Sequence, residues 1–218
     1  MAISGNRIGL FGGTFDPVHY GHLRSALEVK NDFGLDEVRI IPCAKPPHRK
    51  QPEANAAMRL QMLELAIKNQ AGLTIDTREL DRHKLSELTP SYMVDTLKSL
   101  RQDFKDASLL LFIGSDAFKH LTSWHQWQQL FDYAHLVVLT RPGFETQGLD
   151  DFFNARLAKD IKELAQNPAG KLFLSQVTQL DISATAIRNM IAKKQNPGFL
   201  LPDAVIEYIK QHQLYETY

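Results

Sequence analysis

Residues Gly9–Leu23 read G-L-F-G-G-T-F-D-P-V-H-Y-G-H-L. A short apolar run, Ile8–Phe11, ends there in Gly12-Gly13. The chain then passes through Asp16-Pro17 and reaches His19 and His22 at the head of a helical pattern from Tyr20 to Phe33. Leu23, Ala26, Leu27 and Lys30 recur in that pattern at three-to-four spacing, and Gly34 ends it. Strand, glycine turn and helix in that order form the first half of a strand–helix–strand unit. Such units, repeated, build a parallel sheet.

The repetition is present. Val38–Ile41 reads as a second strand stopped by Pro42, followed by a stiff basic loop, Lys45-Pro46-Pro47-His48-Arg49-Lys50. A helix is predicted over Ala56–Asn69 and a strand over Leu73–Ile75. A further helix opens at Pro90 and runs towards Phe104. Leu109–Ile113 is a buried-strand candidate, and Gly114-Ser115-Asp116 leads from it into another helix. Leu136–Leu139 and Lys171–Leu174 read as strands, Asp150–Gln166 as a helix, Ile182-Ser183 as a helix start, and Pro202–Gln213 as a closing helix. The expected fold is therefore α/β: a Rossmann-like, doubly wound parallel sheet with helices on both faces. No repeat or linker interrupts 1–218, which reads as a single domain with its C-terminal helical part, about 183–218, packed on it.

Bulk composition excludes several classes. The 218 residues are 44% hydrophobic and 23% charged, ordinary for a globular protein. Lys+Arg and Asp+Glu are each 25, so no global basic field exists to bind nucleic acid. No apolar run approaches the ~18 residues of a membrane span. The only cysteine is Cys43, which suits a reducing cytoplasm.

The chemistry sits in the turns. In a doubly wound sheet, ligands bind beyond the carboxyl ends of the strands, where Gly12 and Gly13 fall. Glycines permit close approach and unusual backbone angles. A helix N-terminus directed at the same spot favours phosphate. His19 and His22, three apart, can face one side, and Gly21 between them is expected to leave room for a ligand. Two imidazoles aimed at a phosphate could stabilise charge developing during phosphoryl or nucleotidyl transfer. The turn lacks G-x-G-x-x-G and the Gly-Lys-Ser/Thr of a P-loop, which disfavours a dehydrogenase or a P-loop kinase, and the His pair lacks the H-E-x-x-H metal pattern.

A second helix start carries D-I-S-A-T-A-I-R, Asp181–Arg188. Ser183 suits the N-cap, and no acid or amide follows at the third position to close a capping box. Arg188, on the second turn, leans back towards that end and offers a planar, always-charged donor fork.

These motifs resemble those of the nucleotidyltransferase superfamily, whose signature is G-x-F-D-x-x-H-x-G-H. The resemblance implies ATP bound on a Rossmann-like domain. His19 and His22 would contact its phosphates, and Gly12, Gly13, Thr14 and Phe15 would form a wall along the nucleotides. Ile182, Ser183, Thr185 and Arg188 match the family's I-S-S/T-T-x-I-R motif, whose Arg grips the β- and γ-phosphates. Ala184 stands where a hydroxyl is usual, so only a main-chain contact is available there.

The P-P-H-R loop, S-Y-x-x-x-T-L at Ser91–Leu97, I-G-x-D at Ile113–Asp116, and Trp124 extend the resemblance to the bacterial nicotinate-nucleotide adenylyltransferases over nearly the whole chain. Gly114 and Asp116 would then serve ATP, Asp116 as an acceptor for a ribose hydroxyl. Gly13, Thr14, Lys45, His48, Ser91, Tyr92, Met93, Trp124 and His125 would hold the mononucleotide, with Trp124 stacking on its flat ring. Met93 and His125 depart from the family's more usual Thr and aromatic residue.

The implied reaction joins ATP and nicotinate mononucleotide, with His19, His22 and Arg188 as catalytic residues. Mg²⁺ would travel with the ATP phosphates and need no dedicated protein cage. Another adenylyl- or cytidylyltransferase of the superfamily, such as a pantetheine-phosphate adenylyltransferase, is the nearest alternative. A non-catalytic nucleotide sensor is a more distant one.

Overall fold

The computed structural model describes residues 6–46, 51–86, 90–140, 149–178 and 180–216. Among the described residues there are six strands: β1 (Arg7–Gly13), β2 (Glu37–Pro42), β3 (Leu73–Ile75), β4 (Ser108–Gly114), β5 (His135–Thr140) and β6 (Leu172–Gln176). The helices are α1 (Tyr20–Asp32), α2 (Ala56–Ile67), α3 (Arg78–Leu85), α4 (Met93–Asp103), α5 (Ser115–Lys119), α6 (Leu130–Tyr133), α7 (Asp151–Asn154), α8 (Ala184–Ala192) and α9 (Asp203–Gln211). Among the described residues no helix is long and apolar enough to cross a membrane.

The strand order is β3-β2-β1-β4-β5-β6, that of a Rossmann-like sheet, with its order reversing between β1 and β4. β1 pairs parallel with β4 (Leu10 opposite Leu111), β4 with β5 (Phe112 opposite Val137) and β5 with β6 (Val138 opposite Leu174). Successive strand residues point to opposite faces. Burial of every residue of β5, and of β4 up to Ile113, therefore means that both faces are covered.

Contacts group the chain into two compact units. The first comprises Met1–Gly12, Glu28–Arg39 and Tyr92–Thr178. Its core is close-packed. A Cβ on Gly9 would lie 2.7 Å from the Leu35 side chain and 3.0 Å from the Phe112 ring. His135, fully buried on β5, is a satisfied core histidine. Its Nε2 pairs with the Asn167 carbonyl at 2.7 Å, its Nδ1 accepts from Lys171 N at 3.1 Å, and burial lowers its pKa. The Arg101 guanidinium gathers the carbonyls of Tyr133, Phe104, Lys105, Ala107 and Pro168.

The second unit comprises Gly13–Leu27, Ile40–Ser91 and Gln179–Tyr218. There α9 packs on α2; Val205, Ile206 and Ile209 are buried on one helix and Met62, Leu63 and Ile67 on the other. Each such side chain contributes roughly 1.5–3 kcal/mol relative to exposure. Asn55 caps α2 by accepting from Met58 N.

Two predicted elements differ. The helix expected to open at Pro90 begins at Met93, with Tyr92 as its N-cap residue. The helix expected over Asp150–Gln166 is broken. α7 stops at Asn154, and a 3-10 turn, Ile161–Ala165, starts afresh behind an Asp160–Glu163 capping box.

Candidate active site

The turn after β1 is shaped by Phe15. Its φ is 53°, in the left-handed region that bulky residues rarely adopt, and its ring is buried. A Cβ on Gly13 would fall 2.7 Å from that ring, so the glycine makes room for Phe15. Any contact from Phe15 to a nucleotide must therefore come from its main chain. The ring meets His22 edge-on, with centroids 5.0 Å apart.

His19 closes the turn. Its carbonyl accepts from His22 N at 2.9 Å and Leu23 N at 3.2 Å, starting α1. The two imidazoles stack, with centroids 3.7 Å apart and planes inclined by 24°. A Cβ on Gly21 would lie 3.0 Å from the His19 ring and 3.4 Å from the Ile182 carbonyl. The expectation that Gly21 leaves space for a ligand is thus corrected. That space is taken by the His19 ring and the start of α8.

His19 is only 5% exposed, and its Nδ1 has no hydrogen-bond partner among the described residues. Burial lowers its pKa from 6.5 to about 4, so the ring is neutral near pH 7.

The second helix start comes to the same place. Ser183 caps α8 by accepting from Ala186 N at 3.1 Å, and Thr185 is exposed. Arg188 Nη1 donates to the main-chain carbonyl of Asp16 at 2.7 Å. Its Nε donates to Glu53 Oε1 at 2.7 Å. The structure therefore brings Arg188 to the loop that ends in His19.

Beneath these groups lies a buried polar cluster that the sequence reading did not reach. The Asp16 carboxylate accepts from Glu53 N (2.8 Å), Ala54 N (3.1 Å) and the Tyr215 hydroxyl (2.7 Å). Arg59, 1% exposed on α2, donates to the carbonyls of Thr14 (2.7 Å), Ala54 (3.2 Å) and Ala44 (3.3 Å). Arg59 thus joins the loops after β1 and β2 to the loop before α2. Cys43 N donates to Gly13 O, and burial with the nearby Glu79 charge pushes the Cys43 thiol up to about 12.

Of the residues predicted to bind the mononucleotide, Lys45 and Ser91 are joined main chain to main chain, Ser91 N donating to Lys45 O at 3.3 Å. The Ser91 N–H is therefore engaged. His48 lies outside the described residues. In the first unit, the Tyr92 ring lies 4.3 Å from the His125 ring, and the Met93 methyl occupies the space a Cβ on Gly12 would need. Trp124 is half-exposed rather than packed in the core, and Gly114 and Asp116 are exposed at the carboxyl end of β4. Among the described residues no group of three or more His, Cys, Asp or Glu side chains is arranged to hold a metal ion.

A Rossmann-like strand order with paired histidines on the first turn and an arginine brought onto it defines a class. The cytidylyltransferase-like family matches residues 10–190, and the chain belongs to it. Within that class it belongs to the nicotinate-nucleotide adenylyltransferases. It is 48% identical over 212 residues to a probable nicotinate-nucleotide adenylyltransferase of Methylococcus capsulatus, covering 95% of this chain and 99% of that one. It is 46% identical over 217 residues to one of Pseudomonas aeruginosa, covering 98% and 99%. The fold is shared with Plasmodium falciparum nicotinic acid mononucleotide adenylyltransferase complexed with NaAD. That likeness has a TM-score of 0.73 at 19% identity and covers 98% of each chain. The same enzyme complexed with APC gives a TM-score of 0.70.

Proposed function

We propose that this chain transfers the adenylyl group of ATP to nicotinate mononucleotide, giving nicotinate adenine dinucleotide and pyrophosphate. A 5′-phosphate oxygen of the mononucleotide forms a bond to the α-phosphorus. The bond from that phosphorus to the bridging oxygen breaks, and its electron pair leaves with pyrophosphate. The nucleophile is already anionic, so no general base is required, and catalysis is alignment plus charge stabilisation.

One observation carries the reading: Arg188, from α8, is bonded to the loop whose last residue is His19, a buried imidazole with an unsatisfied ring nitrogen. The buried Nδ1 packs beside Gly21, which leaves Nε2 as the ring nitrogen assigned to the phosphate. A neutral His19 can donate one N–H. His22, stacked on it, completes the α-phosphate site, and Arg188 takes the β- and γ-phosphates. Gly12, Gly13, Thr14, Ile182, Ser183 and Thr185 line the nucleotide through main chain and hydroxyls.

Tyr92, Met93, Trp124 and His125 are assigned to the pyridine end, Lys45 and Ser91 to the mononucleotide, and Gly114 and Asp116 to the adenosine. Mg²⁺ is assigned to the triphosphate itself, whose charge it would partly neutralise. The acid beside the histidines, Asp16, already accepts three hydrogen bonds and is poorly disposed to act as a metal ligand. The lone cysteine, held as a thiol, fits a cytoplasmic enzyme.

The test is pyrophosphate release from ATP with nicotinate mononucleotide, nicotinamide mononucleotide and phosphopantetheine in parallel. Nicotinate mononucleotide should give the highest kcat/KM. Faster release with phosphopantetheine would move the chain to the alternative acceptor class. ATP binding without release on any acceptor would make it a nucleotide sensor.

A further inference from the structure

We propose that Tyr215, beyond the end of α9, is a positioning residue for the phosphate site, fixing Asp16 and through it the carbonyl that holds Arg188. The inference rests on the assignment of Arg188 to the ATP phosphates made above.

The connection is continuous. The Tyr215 hydroxyl donates to Asp16 Oδ1 at 2.7 Å, and the side chain is 7% exposed. The same carboxylate accepts from Glu53 N and Ala54 N, so it ties the turn after β1 to the loop before α2 and to the chain end. The main-chain carbonyl of Asp16 accepts from Arg188 Nη1. The peptide carrying that carbonyl therefore belongs to a residue whose side chain is pinned on three sides. Without Tyr215 the carboxylate keeps only the two N–H donors of residues 53 and 54, and both of those come from one loop.

Two further observations set Tyr215 apart from an ordinary tail contact. Its φ is 65°, in the left-handed region that a bulky residue rarely adopts. Burial, with the Asp16 charge, also raises its pKa far above that of an ordinary tyrosine, so the hydroxyl is a donor throughout the working pH range.

Tyr215→Phe removes the hydroxyl and keeps the ring. In the full chain it should raise the KM for ATP about tenfold, with a smaller fall in kcat and little change in the KM for nicotinate mononucleotide. The Kd for ATP, titrated without acceptor, should rise by a similar factor. In an Arg188→Ala background the same change should add nothing, because the two residues act on one contact. Tyr215→Leu, which also removes the ring, should lower Tm further yet raise the ATP KM by the same factor. Ring packing alone predicts that KM effects track Tm instead. The proposal is overturned if Tyr215→Phe leaves ATP KM and Kd unchanged, or if its penalty persists in full without Arg188. A wild-type chain that binds ATP but transfers nothing to nicotinate mononucleotide sinks the acceptor assignment instead and leaves the ATP titration to decide the role of Tyr215.

Discussion

Arg188 and Asp16 stand 172 positions apart in the chain, and the guanidinium of one donates to the main-chain carbonyl of the other at 2.7 Å. With Nε also bonded to Glu53, that bond leaves Nη2 and the second Nη1 hydrogen of a planar fork to meet an anion. A lysine at this position has three donors around a point and no fork. Arg188→Ala should lower kcat/KM for ATP by about 10²–10³, the usual cost of losing one preorganised donor. Arg188→Lys should recover little of it. Pyrophosphate release under single-turnover conditions measures both, and a Lys variant near wild type would remove Arg188 from its role.

The other partner of Arg188 is replaceable by design of its surroundings. Glu53 is half-exposed at its carboxylate, and its bond to Arg188 Nε is a solvent-facing ion pair. Such pairs are worth at most about 1 kcal/mol and weaken with salt. If Arg188 takes the triphosphate as proposed, Glu53 would compete with it for the guanidinium. Glu53→Gln should lower the ATP KM by about two- to fivefold at low ionic strength, and the gain should shrink above about 0.5 M salt. A higher KM in the variant would show that Glu53 holds Arg188 ready rather than withholding it.

Much of this arrangement was legible in the sequence, and the remainder has a physical reason for having been hidden. Strand–turn–helix signals are local, so β1, α1 and β2 and the start of α8 at Ser183 follow from periodicity, glycine and N-cap chemistry. The helix α3 reads R-E-L-D-R-H-K-L, with Leu80 as its one buried apolar residue and no side-chain cap at Thr77, so no apolar stripe announces it. The break after α7 did carry a signal, since Asp160 and Glu163 have capping-box spacing, but a longer helical pattern obscured it. The cluster of Asp16, Arg59 and Tyr215 could not be read at all. The Tyr215–Asp16 bond spans 199 positions, and nothing local distinguishes a buried, satisfied tyrosine from a frayed tail. The residues assigned above to the phosphates are thus local motifs, whereas what holds them is long-range.

His19 gives a prediction in pH. Burial lowers its pKa from 6.5 to about 4, so between those values the unfolded chain takes up a proton at this position that the folded chain refuses. Its contribution therefore leaves stability at full value above about pH 6.5 and erodes it as the pH falls towards 4, by on the order of 3 kcal/mol in all. NMR of the imidazole, assigned with His19→Gln, should show titration near 4 in the free protein and a higher value once ATP is bound. Denaturant unfolding at pH 7 and pH 5 should show a smaller acid loss in His19→Gln than in wild type. Titration of His19 near 6.5 in the folded, ligand-free protein would contradict its burial as the controlling effect.

Arg59 supports the site from below. Its guanidinium satisfies the carbonyls of Thr14, Ala44 and Ala54 and lies near the charge of Asp16, all at 1% exposure. Arg59→Met fills much of the volume but leaves buried carbonyls without donors and a buried carboxylate without its neighbouring cation. Each buried carbonyl left without its donor costs about 1–3 kcal/mol, so the loss over three of them is on the order of 3–5 kcal/mol. Arg59→Lys should not restore it, because an ammonium cannot reach three separated carbonyls as a planar fork does. Urea denaturation should report a loss of that size for Met and most of it for Lys, with the m-value unchanged. The fraction that remains folded should show a raised KM for ATP, since the Thr14 carbonyl belongs to the turn that carries His19. A loss under about 1 kcal/mol would mean that water replaces the guanidinium, and the loops after β1 and β2 would then owe their placement to packing alone.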